Sequence, residues 1–467
     1  MSRVLISAAH KSSGKTTVSI GLCAALRDRG LKVQPFKKGP DYIDPMWLAQ
    51  AAGRACYNLD FYIQSREEIL ATFANHAAHA DLALVEGNKG LYDGLDLDGS
   101  NSNAALAKLL ALPVVLVLDT RGVIRGVAPL LLGYQAFDPA VNIAGVILNN
   151  VGGSRHEAKL RAVVEHYTDI PVLGAVHHDP DMQILERHLG LVPANEAQAA
   201  QTQIREIGQR IARQVDLDRL LAVAAAAPPL VAPPAPRALP RPGAPVRVAI
   251  ARDRAFGFYY ADDLDALAAA GAELVPFDAL HDPCLPEADA LFIGGGFPES
   301  FARELAANRS LREDIRRAIE GGLPTYAECG GLMYLARSLT CNGATHEMVG
   351  VIPGDVVMHA KPVGRGYVRL KPTGASPWLR PGEHLEEIQA HEFHYSSLEN
   401  LAGGLTYAYE VKRGHGIDGR HDGFVYKNLL ASYTHLRGTA AFDWPLRFLE
   451  WVRRCHIHHQ PRRASAG

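Results

Sequence analysis

The chain has 467 residues, 48% of them hydrophobic and 21% charged, with a formal net charge of −2. That length suits two or three domains with ample core. The near-neutral balance, without a basic run, argues against a general nucleic-acid or membrane-surface binder.

Six cysteines (Cys23, Cys56, Cys284, Cys329, Cys341, Cys455) lack CxxC spacing, so neither a zinc site nor a disulfide framework is indicated. A strand, Val4-Leu5-Ile6, opens the chain with no signal-like apolar core before it, and no apolar run approaches a membrane span. A reducing cytoplasm is the expected home.

From Pro228 to Pro245 there are eight prolines in eighteen residues. Such a stretch forms neither helix nor interior strand and is expected to be a semi-rigid linker between two α/β domains. The expected organisation is a domain over 1–227, the linker over 228–245, a second domain over 246–442 and a C-terminal helix and tail over 443–467, with Arg462 to Gly467 frayed.

In the first half, strands are expected at Arg3–Ser7, Lys32–Phe36, Leu82–Glu86, Val114–Asp119, Ile143–Asn149 and Val172–Val176, with a helix over Thr16–Arg29. Strands alternating with helices imply a doubly wound parallel sheet with ligands at the carboxyl ends of its strands. After the first strand comes Ala8-Ala9-His10-Lys11-Ser12-Ser13-Gly14-Lys15-Thr16-Thr17, close to the phosphate-binding pattern GxxxxGK followed by Ser or Thr. Backbone N–H groups around Gly14 and Thr17 would cradle phosphates, Lys15 would reach the terminal ones, and Thr16 would help hold Mg²⁺. The competing reading is a helix start that happens to contain Gly-Lys-Thr.

The second strand leads into Lys37-Lys38-Gly39-Pro40-Asp41-Tyr42-Ile43-Asp44. Asp41 and Asp44 beside two lysines suit a site for Mg²⁺ and a polyanion. Alternatively this is a solvated turn with Asp44 as helix cap. Glu86 ends a further strand, in the place where such folds keep a metal-orienting carboxylate, and a glycine-rich loop with Lys89 and Asp93 follows. Asn149 ends a later strand and could read an adenine edge or serve as a turn residue.

The second half starts with a strand at Val246–Asp253, an aromatic cluster (Phe256, Phe258, Tyr259, Tyr260) and a helix over Leu264–Ala270. Ala290–Ile293 leads into Gly294-Gly295-Gly296, where bare backbone could present N–H groups as an oxyanion hole. Leu323–Ala327 runs into Glu328-Cys329-Gly330-Gly331, the outline of a nucleophile elbow. A thiol there is expected to have a lowered pKa, although a buried structural cysteine before a glycine turn fits the same residues. His435, 106 residues further on, could complete an activated Cys–His pair. His391 and His394 compete for that role, and as a metal pair they are a weak signal without a third ligand.

These motifs occur together and in order: the phosphate loop, PFKKGPDYIDP, LPVVLVLD, ARDRAFGFYY, GGGFPE, YAECGGLMYL, HEFHYS and SYTHLR. From about Val4 to Phe442 the chain resembles the cobyrinic acid a,c-diamide synthases. The resemblance implies an N-terminal P-loop amidoligase domain, of dethiobiotin-synthetase-like fold, joined to a class I glutamine amidotransferase domain. It implies ATP, glutamine and cobyrinate as substrates, with Mg²⁺. It places Cys329 as nucleophile, His435 as its base and backbone N–H groups at Gly295 and Gly330 as oxyanion hole. It places Gly14, Lys15, Thr16 and Thr17 on the phosphates, Asp41, Asp44, Glu86 and Asp93 on the ATP and carboxylate site, and Thr16, Glu86 and Asp44 near Mg²⁺.

Three departures stand out. Ala9 replaces the first glycine of the phosphate loop. Leu436-Arg437 follows His435, so the acid found two residues after the histidine in many class I glutaminases is missing and a Cys–His dyad is expected. Asn88-Lys89 and Leu95 to Asn103 are unusual for a corrin amidase, which leaves a sirohaem-type macrocycle as an alternative. A partitioning-type P-loop ATPase is a third reading, against which stands His10 where that class carries a second lysine. The oligomeric state is open, with a homodimer among the options.

Overall fold

The computed structural model describes all residues except 183, 185, 188, 189, 197, 198, 231–244, 381, 384 and 460–467, and leaves out the side chains of 186, 187, 190 and 457–459. Most of the expected Pro-rich linker and the whole of the expected frayed tail therefore lie outside the described residues. The chain divides into two compact units, Met1–Pro236 and Arg237–Gly467.

In the first unit, β1 (Arg3–Ala8), β2 (Val33–Lys38), β3 (Tyr57–Leu59), β4 (Leu82–Glu86), β5 (Val114–Asp119), β6 (Ile143–Val151) and β7 (Val172–His177) form one sheet in the order β3-β2-β4-β1-β5-β6-β7. Every pairing in it is parallel. The strands are buried on both faces, as their continuous apolar runs dictate. The chain leaves β1 toward β2 on one flank and β5 toward β6 on the other, so a crevice opens at the carboxyl ends of these neighbours. The edge strand β3 was not expected, because three residues carry too little periodicity.

Helix α1 (Lys15–Asp28) begins one residue earlier than expected, directly after Gly14 in left-handed geometry (φ 82°). It packs closely on the later helix Ala200–Gln214. A Cβ at Gly21 would lie 2.3 Å from Ile211, and one at Gly208 would lie 2.8 Å from Ala24. Helix α2 (Ile43–Ala52) is not capped by Asp44: Asp41 Oδ1 accepts the N–H groups of Ile43 (2.9 Å) and Asp44 (3.1 Å) instead. Asp44 sits inside the first turn, which frees its carboxylate for other partners.

The second unit is built on a nine-stranded mixed sheet. Val246–Ala251, Ala272–Phe277, Ala290–Ile293, Thr325–Glu328 and Leu429–Ser432 pair in parallel. The rest (His421–Tyr426, Thr406–Arg413, Gly364–Pro372, Ile388–His394) extends the sheet by antiparallel pairing. A separate four-stranded sheet includes Ala336–Cys341 and Ile352–Met358. One core is aromatic: Tyr326 is fully buried among Phe292, Trp378, Trp444 and Phe448. Trp444 heads the helix Trp444–His459, so this helix contributes to the core of the unit. Among the described residues no helix is long and apolar enough to cross a membrane.

Candidate active site

The first cluster lies at the carboxyl ends of β1, β2 and β4. Lys37, the fifth residue of β2, is 2% exposed, yet it is a cation. It is held because it donates to Glu86 Oε1 at 2.9 Å and to Asp44 Oδ2, with Asp41 Oδ2 at 3.8 Å. Burial opposes its charge, but these three carboxylates outweigh that and push its pKa well up. Glu86 Oε1 also accepts Thr16 Oγ1 (2.7 Å) and Lys15 Nζ (3.2 Å), and Thr16 Oγ1 lies 3.3 Å from Asp44 Oδ2. Burial works against ionisation of Asp44, and Lys37 and Lys15 overcome it to lower its pKa. Asp41 goes the other way, raised by burial and by the nearby Asp44. Glu86 Oε2 is buried without a hydrogen-bond partner.

The sequence marks Lys37 only as one of two lysines beside Asp41 and Asp44; the pairing of β2 with β4, Lys37 opposite Glu86, brings it to the centre. The phosphate loop is pinned from three sides. Asn149 Nδ2 donates to Ser13 O at 2.8 Å, Leu91 N to Ala8 O at 2.8 Å, and Tyr134 Oη to Ala9 O at 2.6 Å. The Asn149 donor is thus engaged with the loop, while the half-buried Asn150 beside it donates to Asp119. Asp93 closes its own turn, Oδ2 accepting Gly90 N–H at 3.0 Å. Asn103, the last residue of the unusual stretch Leu95 to Asn103, holds that turn by accepting Asn88 N–H (3.1 Å) and donating to Gly90 O (2.8 Å).

The second cluster surrounds Cys329. The residue has φ 45° and ψ −100°, a strained conformation for a non-glycine residue and the mark of a nucleophile elbow. Gly331 is required behind it, because a Cβ there would sit 2.2 Å from Ile293 O. The expectation of a lowered thiol pKa is corrected. Burial first, then Glu299 and Glu328, push the thiol up, and the N–H of Gly330 only partly offsets them. The physical reason is that the following helix, Gly330–Leu335, is six residues long and the elbow is buried.

Gly295 lies against His435: a Cβ on it would be 2.6 Å from the imidazole Cε1. Gly295 and Gly296 pair with Phe258 and Phe256 in a short ribbon, and Gly296 N lies 3.0 Å from the position of a Cβ on Gly330. The glycine run, the elbow and His435 therefore meet at one place. His391 does not replace His435 but stacks on it, with ring centroids 5.0 Å apart and planes at 20°. Burial, then His435 and Arg437, hold His391 well below the usual imidazole range. His391 and His394 stand three apart on a strand, and His394 stacks instead on Tyr433 (4.0 Å). Among the described residues no group of three or more His, Cys, Asp or Glu side chains could hold a metal ion.

A dyad is also not the whole arrangement. Glu328 Oε2 lies 3.3 Å from His435 Nδ1, while Glu328 Oε1 accepts Leu436 N–H (3.0 Å) and Tyr326 Oη–H (2.5 Å). Looking for an acid only after the histidine misses it, since it sits directly before the cysteine.

A P-loop unit and a unit with a cysteine elbow beside a histidine define a nucleotide-binding amidoligase joined to a glutamine amidotransferase. Residues 5–192 match the CobQ/CobB/MinD/ParA nucleotide binding domain, and residues 247–440 match the CobB/CobQ-like glutamine amidotransferase domain. The chain is 51% identical to a cobyrinate a,c-diamide synthase of Magnetococcus marinus over 95% of both chains. It is 43% identical to one of Methanosarcina acetivorans (98% of this chain, 97% of the relative) and 41% identical to one of Listeria monocytogenes (93% and 96%). The chain belongs to the cobyrinate a,c-diamide synthase family.

Proposed function

We propose that the protein amidates the a and c side-chain carboxylates of cobyrinate, in cobalamin biosynthesis, taking nitrogen from glutamine and energy from ATP. The observation that carries this reading is the presence of two chemically different clusters, one in each unit, in a chain with relatives of that name over 93% to 98% of its length.

In the second unit, Cys329 attacks the amide carbon of glutamine as His435 takes the thiol proton. Because burial keeps the thiol protonated, this transfer is needed for nucleophilicity. The tetrahedral oxyanions are stabilised by backbone N–H groups near Gly295 and Gly330. Ammonia leaves with the proton that His435 returns, and water then hydrolyses the thioester to glutamate.

In the first unit, Gly14, Lys15, Thr16 and Thr17 hold the phosphates of ATP. A cobyrinate carboxylate oxygen takes the γ-phosphoryl group, and ammonia displaces phosphate from the acyl phosphate to give the amide. Phosphorylation is required because a carboxylate is a poor electrophile without a leaving group.

Mg²⁺ fits this cluster. The unpartnered Glu86 Oε2, the Thr16 hydroxyl and Asp44 are hard oxygen donors set close together. Such a small protein ligand set suits Mg²⁺, which takes its remaining ligands from phosphates and water. When bound, it would neutralise phosphate charge. Asp41 and Asp93 serve the ATP and carboxylate side, and Asn149, whose Nδ2 braces the phosphate loop at Ser13, reads the adenine edge with its amide oxygen. The protein acts in the cytoplasm.

The test is incubation with MgATP, glutamine and cobyrinate, or a sirohaem-type macrocycle, with products followed by mass spectrometry. Two amidations of cobyrinate are expected, and amidation of the sirohaem-type compound alone would overturn the substrate. Cys329→Ala should abolish glutamine-dependent product and keep ammonia-dependent product, whereas loss of both in a folded variant would refute separate sites.

A further inference from the structure

The side chain of Glu328 is buried, with only about 3% of the residue exposed, and an ionisable carboxyl there needs partners. Its donors are unusually well distributed. Oε1 takes two, the phenol of Tyr326 at 2.5 Å and the N–H of Leu436 at 3.0 Å, so this oxygen is locked as an acceptor. That leaves Oε2 facing Nδ1 of His435 at 3.3 Å. Both anchors are rigid. Tyr326 is part of the aromatic core, and Leu436 is the residue after the histidine. Glu328 ends the strand that pairs with Leu429–Ser432, register Glu328 opposite Ser432, so the sheet itself brings the carboxylate to the start of the His435 segment. That segment is fixed from the other side by Asp422, which accepts Tyr433 and Thr434 N–H at 3.0 Å each.

We propose that Glu328 is the positioning residue that holds His435 in its Nδ1–H tautomer, doing from the position before the nucleophile what other glutaminases do with an acid after the histidine. A carboxylate can only accept here, so Nδ1 must be the donor. Nε2 then keeps its lone pair and can take the thiol proton. The imidazolium formed in that transfer gains a negative partner. His391 stacks on the same ring but is pressed toward neutrality, so it adds no positive charge against that imidazolium, and Arg437 nearby is paired with Asp262. The inference rests on the role proposed above for Cys329 and His435.

The test is Glu328→Gln, which keeps shape and an acceptor for Tyr326 and Leu436. Its Nε2 then faces His435 Nδ1 as a donor and forces the opposite tautomer. Glutamine-dependent kcat/KM, measured with MgATP and cobyrinate, should fall ~10²- to 10⁴-fold, as when a triad acid becomes an amide. Ammonia-dependent amidation should persist. In ¹⁵N-histidine NMR at alkaline pH, with the His435 signal assigned by difference from His435→Gln, the parent protein should be protonated at Nδ1 and the variant at Nε2. Tyr326→Phe, which keeps the carboxylate and removes its shortest bond, should give a smaller loss of the same kind. Folded variants with glutamine-dependent kcat/KM within about threefold of the parent, or an unchanged tautomer, would overturn the proposal. Absence of glutamine-dependent activity in the parent protein would instead overturn the reading of the site, and the tautomer measurement would still decide the role of Glu328.

Discussion

Gly295 shows how finely single residues are set in the second unit. The imidazole of His435 occupies the place of its missing side chain, at 2.6 Å from a Cβ. Gly295→Ala must push either the ring or the glycine run, and both belong to the proposed glutaminase chemistry. Glutamine-dependent turnover is expected to fall ~100-fold or more, since a misplacement of about 1 Å costs that much, with ammonia-dependent turnover retained. Steady-state assays with the two nitrogen donors check this. Cys329 was legible from its neighbours because an elbow is a local turn requiring glycines right after it. Its raised thiol pKa was not, since burial and the carboxylates of Glu299 and Glu328 come from the surrounding fold.

Strand β2 delivers two adjacent lysines into different surroundings. Lys37 meets three carboxylates, whereas Lys38 donates to Asn88 Oδ1 (3.1 Å) and is pushed down to about 8, chiefly by burial. The folded state therefore disfavours the Lys38 charge. The penalty is fully present below about pH 8 and vanishes as pH rises through the ordinary lysine value of about 10.4. Lys38→Met should stabilise the first unit at pH 7 by ~1–3 kcal/mol, after the lost hydrogen bond is discounted. The gain should shrink toward pH 10, and urea unfolding at the two pH values measures it. Helix Arg66–Ala77 offers a simpler case: Ser65 and Glu68 form a reciprocal capping box. Ser65→Ala should cost about 1 kcal/mol in the same assay. The alternation of strands and helices in the first half was readable because buried parallel strands are continuous apolar runs. The antiparallel extension of the second sheet, Gly364 to Tyr426, was not anticipated, because its strands are partly exposed and interrupted by charged residues.

Each of the two units has its own sheet and core, so their ligands should protect different parts of the chain. A non-hydrolysable ATP analogue at 100 times its Kd should add about 2.7 kcal/mol to the first unit. Hydrogen exchange should slow around Ala8 to Thr17 and Lys37 to Asp44. A glutamine-mimicking electrophile attached to Cys329 should slow exchange around Gly294 to Phe297 and Ala327 to Leu332. Protection of the latter segment by the nucleotide analogue alone would contradict this division.

By itself, the sequence determined the two α/β units, the phosphate loop, the elbow at Cys329 and the family. These depend on turns, glycines and periodic burial within a few residues of one another. Only the tertiary structure decided that Lys37 sits at the centre of the first cluster, that Asn149 braces the loop at Ser13, and that the acid beside His435 is Glu328. Those are pairings across strand registers between segments tens to more than a hundred residues apart, and the shifted pKa values follow from burial, which no local pattern encodes.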